Sequence, residues 1–134
     1  MSLTILLLAV LSVAAGVQFT RTSTTDSGCD GVREAYERVS FVERAQDVPT
    51  AQVYDEAALA VRQSAVEAPP QVAGDLGELA GAYNRLADLL RGFRAGDAST
   101  YHVYEDNVAA IETQQVVVDT SLPLVGEWLD NRCR

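Results

Sequence analysis

Between residues 72 and 93 the large apolar side chains recur alternately four and three positions apart: Val72, Leu76, Leu79, Tyr83, Leu86, Leu90 and Phe93. An α-helix brings residues at that spacing onto one face, so all seven form a single seam, the pattern of a left-handed helical bundle. A strand would need two-residue alternation, and no stretch from Asp30 onward keeps it for long. The chain therefore reads as all-α.

The same spacing locates the other helices. A first helix is expected over about Gly31 to Ala45, with Val32, Ala35, Tyr36, Val39 and Val42 on one stripe and Glu34 paired with Arg38 outside it. Phe41 falls off that stripe. It is either the edge of a broad core face or a contact for a partner or membrane. Asp47, Pro49 and Thr50 supply helix-start chemistry, and a second helix should carry Tyr54, Ala57, Ala58, Val61 and Ala65 on one face before Pro69 and Pro70 end it near Ala68.

On another side of the seamed third helix lie Ala73, Gly77 and Gly81, which read as close packing in water or as tolerated glycine, since the charges interspersed with them exclude a lipid-facing span. Gly92, Gly96 and Asp97 mark its exit turn. A fourth helix should begin near Asp97 to Ser99, with the stripe Tyr101, Tyr104, Val108, Ile111, Gln115 and Val118. Its register continues through Leu122, Val125 and Leu129 with Trp128 beside it, and Pro123 predicts a helix break or kink near Asp119 to Pro123. The expected architecture is a bundle of about four main helices, the last one broken near Pro123.

With 134 residues the chain has room for one domain, and its 48% hydrophobic content is ordinary for a globular protein. The formal net charge is −9, and all ten basic residues are arginine. A nucleic-acid partner is not expected, because binding to phosphates requires basic density.

From Leu3 to Phe19 no residue is charged, and leucine, isoleucine and valine dominate. This stretch lies between the length of a signal-peptide core and that of a membrane span, so residues 1–19 read as a signal peptide or a retained membrane anchor. Residues 20–28 are small and polar, a linker, and the folded domain is expected over 29–134. The two cysteines, Cys29 and Cys133, have neither zinc-ligand nor Cys-x-x-Cys spacing. In an exported chain they are expected to pair, since each lies at the core-facing edge of a terminal helix. Ser27-Gly28-Cys29 offers a competing lipoprotein reading, but Asp26 occupies the position where an acylation signal wants a leucine-like residue, well beyond the apolar core.

Candidate chemistry is sparse. His102, the one histidine, shares a helix side with Glu105, Asp106 and Glu112, and Tyr101 and Tyr104 flank it. Tyrosine and histidine can ligate haem iron, so Tyr101, His102, Tyr104 and Glu105 are the candidate ligands of a small haem or metal carrier. A solvated histidine–carboxylate pair is the plainer reading. No Gly-x-Ser-x-Gly elbow is present, and a Walker loop is impossible without lysine, so no enzyme, cofactor or metal is expected. Phe41 and Trp128 are the candidate partner contacts.

The apolar leader, the polar tether, the cysteine at the first helix, the Ala68-Pro-Pro-Gln-Val72 element and the terminal Trp128-Leu-Asp-Asn-Arg-Cys133 together resemble small exported helical proteins of actinobacteria. Many of those look like lipoproteins and have no assigned function. The combined expectation is a non-catalytic, extracytoplasmic interaction protein of the cell envelope, secreted or anchored through its N-terminal segment, with an envelope or membrane protein as partner.

Overall fold

The structure, a computed structural model, describes residues 28–133. The expected leader and nearly all of the linker lie outside those residues. The described residues form four α-helices and no strand: α1 (28–43), α2 (Ala51–Glu67), α3 (Pro70–Leu89) and α4 (Tyr101–Arg132), with one turn of 3₁₀ helix, Ala98–Thr100, leading into α4. Short connections make sequential helices antiparallel neighbours. No helix among the described residues is long and apolar enough to cross a membrane.

The seam of α3 is the centre of the core. Val72, Leu76, Leu79, Tyr83, Leu86, Leu90 and Phe93 are all buried, and Ala80, Ala82 and Ala87 widen the buried face. Val32, Ala35, Val39 and Val42 meet it from α1, and Tyr54, Ala57, Ala58 and Val61 from α2. On α2 the buried face continues through Ser64, with Ala65 half-buried beside it.

Local chemistry sets the helix ends. The Thr50 hydroxyl accepts from the Val53 amide at 3.4 Å and caps α2. Pro70 occupies the first turn of α3, where its missing N–H is no loss. Gly92 and Gly96 have φ of 87° and 85°, a backbone region that glycine enters at no steric cost, and they turn the chain out of α3. Asp97 then accepts from the Ser99 amide at 3.1 Å and opens the 3₁₀ turn.

The expected break in the last helix is absent. α4 runs unbroken for 32 residues with Pro123 inside it. Pro123 and Asp119 are both exposed, so the Asp119 carbonyl, to which proline cannot donate, lies on the solvent side of the helix rather than against a packed neighbour. Burial along α4 also departs from the expected stripe. Ile111, Val118, Val125 and Leu129 are buried as the pattern requires, joined by Gln114 and Ser121, whereas Tyr101 and Val108 are exposed.

Cys29 and Cys133 form a disulfide with Cα atoms 5.8 Å apart, joining the start of α1 to the end of α4. The bond excludes acylation of Cys29, because its sulfur is already used. One turn along, Arg33 donates to the Cys133 carbonyl at 2.7 Å and satisfies a backbone acceptor left open where α4 stops. Near this end the phenol of Tyr36 lies over Gly126, where a Cβ would come within 2.8 Å of the Tyr36 hydroxyl. Glycine leaves room there for the Tyr36 ring, which any larger residue would have to displace.

Candidate functional site

The four candidate ligands of α4 do not converge. Phe93 packs between the rings of Tyr101 and Tyr104, with centroids 5.9 and 6.0 Å away, so both tyrosines close the loop end of the bundle over an apolar neighbour. Exposed His102 places Nδ1 3.0 Å from the Ser99 carbonyl, a contact in which the nitrogen donates and the ring braces the first turn of α4. Glu105 is exposed. Of these four residues, only Tyr104 lines the cavity described below.

The two candidate partner contacts differ. Phe41 is 75% exposed, so it stands outside the core entirely. Trp128 is half-buried against the core and borders a cleft with Cys29, Ala68 and Pro69 at the disulfide end. Gly77 and Gly81 face open space, which makes that side of α3 tolerated glycine rather than a packed interface.

Helix lengths create a different site at the opposite end. α1 stops at residue 43, where Glu43 accepts from the Gln115 amide of α4 at 2.7 Å. From Gln115 back to Tyr101, α4 extends for roughly 20 Å at 1.5 Å per residue without α1 beside it. The 44–50 connection crosses part of this step. Under it lies a cavity of about 330 Å³ whose lining includes Glu43, Val48, Pro49, Tyr54, Tyr104 and Ile111.

At the wall of this cavity Glu43 is held from two sides. Its Oε1 accepts from the Tyr83 hydroxyl at 3.0 Å, and its Oε2 accepts from Gln115. Tyr83 has no exposed surface, and its ring stacks on Tyr54 with centroids 5.8 Å apart. Burial, reinforced by the charge of Glu43, pushes the Tyr54 phenol up to about 12 and lifts Tyr83 well above the ordinary tyrosine range. Among the described residues no arginine forms an ion pair with Glu43; adjacent Arg44 turns back to the Ser40 carbonyl at 3.1 Å.

Sequence reasoning missed this constellation. Tyr83 belongs to the apolar seam and reads as core, and nothing in the local pattern singles out Glu43. Gln115 was the available signal, a polar amide within an apolar stripe. No protein-family model matches the chain, and no significant match was found among curated proteins or solved structures.

Proposed function

We propose that this protein is a non-catalytic binding protein of the cell envelope, working outside the cytoplasm and contacting an envelope or membrane protein. The disulfide between Cys29 and Cys133 carries the reading, because such a bond persists in oxidising compartments and is removed in a reducing cytosol. The charge-free stretch Leu3 to Phe19 supports it, as a means of export or of attachment to the membrane. A bundle held at both chain ends suits recognition, since a rigid surface loses little entropy on binding. Phe41 is an exposed aromatic that could serve as a contact.

The test combines compartment and contact. Cells of the native host are fractionated and the protein is treated with a maleimide polymer before and after reduction. Extracytoplasmic material with both thiols blocked until reduction is the expected result, and cytosolic material with two reactive thiols would overturn the proposal. A photo-crosslinking residue at position 41 should then yield one discrete envelope adduct, whereas adducts that do not repeat would count against a specific partner.

A further inference from the structure

We propose that the cavity where α1 stops short of α4 binds an organic cation on an apolar stem, an alkylammonium or guanidinium group, with Glu43 as its counter-charge and Tyr54 and Tyr104 among its walls. This deepens the binding reading by naming the ligand chemistry, and it is testable without the partner or the compartment.

Three observations carry it. The first is the carboxylate itself. Each Glu43 oxygen accepts one hydrogen bond, from Tyr83 or from Gln115, and keeps a second lone-pair direction for another donor. Those two bonds fix its position before any ligand arrives, the kind of preorganisation that lowers the cost of binding. The second is the missing counter-charge. Glu43 is half-buried and its charge is met only by two neutral donors, since the described residues supply no cation within bridging distance. An incoming ammonium or guanidinium group would fill both needs.

The third is the character of the cavity. Val42, Val48, Pro49 and Ile111 give it apolar surface, while Tyr54 and Tyr104 give aromatic surface that attracts cations as well as hydrocarbon. At about 330 Å³ it is at the lower end of the range occupied by small organic ligands. Among the described residues no three histidine, cysteine, aspartate or glutamate side chains converge closely enough to hold a metal ion. Asp47 and Glu112 line the same opening, and the net charge of −9 raises the local concentration of cations.

The experiment is a titration of the full chain, in a non-ionic detergent, with phenethylammonium and benzamidine. Their neutral counterparts, 2-phenylethanol and benzamide, serve as controls, and amide shifts are followed by NMR. Saturable shifts confined to residues near 43–48, 54, 104 and 111–115 are expected, with the neutral compounds at least tenfold weaker. Glu43→Gln should lose at least tenfold in affinity for both cations while its circular dichroism is unchanged. An N-acetylarginine amide in the same series separates a partner's arginine from a free amine as the source of the cation, the tighter binder identifying the source. Absence of saturable shifts with either cation, equal binding of the neutral compounds, or undiminished binding by the folded variant would each overturn the proposal. Should Glu43→Gln not fold, the ratio of cation to neutral affinity on the unaltered chain decides, with tenfold carrying the proposal and a ratio near one defeating it. Failure here leaves the compartment and crosslinking results untouched, so the two readings can fail separately.

Discussion

Replacing both cysteines, Cys29→Ala with Cys133→Ala, should destabilise this domain by about as much as truncating one of its largest buried side chains. The bond joins residues 104 apart in sequence, so almost the whole described domain is one covalent loop. In the chain-entropy treatment, closing a loop of that length restricts the unfolded ensemble by an amount equivalent to about 4.7 kcal/mol, although measured gains are often smaller. Domains of this size have a total stability of about 5–15 kcal/mol, so the bond is a large fraction of what holds the fold. The core gives little reserve. Apart from Tyr83, its largest fully buried side chains are leucines and valines, with small alanines filling the helix contacts.

Urea unfolding followed by circular dichroism is the assay, and the slope carries as much information as the midpoint. If the bond acts on the unfolded chain, its removal lets that chain expand, and the denaturant slope should rise while the midpoint falls. Melting should drop by roughly 20–40 °C, taking about 4–8 °C per kcal/mol for a domain near this length. A loss below about 1 kcal/mol with an unchanged slope would refute the reasoning, since it would mean that packing alone positions the two helix ends.

Other perturbations test the helix interiors and the buried phenols. Gly77→Ala and Gly81→Ala enter open helical surface and should each stabilise by about 0.5–1 kcal/mol, whereas Gly126→Ala drives a methyl group into the Tyr36 phenol and should cost about 1–3 kcal/mol, relieved by Tyr36→Ala; thermal melts that rank the three alike would contradict the geometry. Pro123→Ala restores a donor to the Asp119 carbonyl within an unbroken helix and should raise stability by about 1–3 kcal/mol in urea titrations; a loss of stability would mean that the proline shapes α4. Tyr54 and Tyr83 hold their protons more tightly folded than unfolded, so their stabilisation is complete below pH 10.0; that of Tyr54 declines as pH rises through about 12, and that of Tyr83 persists to higher pH. Tyrosinate absorbance at 295 nm should therefore show part of the phenol signal appearing only together with loss of helical circular dichroism, and full ionisation before unfolding would contradict the burial of this pair.

Fold class was legible because helical periodicity is a local property of the chain. The four-three alternation from Val72 to Phe93 places those residues together whatever the neighbours do, and all seven are buried. The proline boundary between α2 and α3 and the glycine turn after α3 were legible for the same reason, since the backbone restrictions of these residues act within one or two positions. Pro123 marks the limit of that logic. The same missing donor that ends a helix against a packed neighbour is tolerated on a solvent-facing side, and local sequence does not say which side that is. Phe41 was visible as an off-stripe aromatic, but its 75% exposure depends on how the other helices cover α1.

By itself, then, the chain determined its helices, most of their buried faces, and two cysteines suited to a covalent closure, all consequences of spacing along one strand of polymer. Tertiary structure alone decided the candidate site. Glu43, Tyr83 and Gln115 come from three different helices, and they meet because α1 is shorter than α4, leaving a step that the bundle does not fill. Whether a carboxylate meets an arginine, a phenol or an open cavity depends on the distances between helices, and those are fixed only when the separate apolar faces pack together.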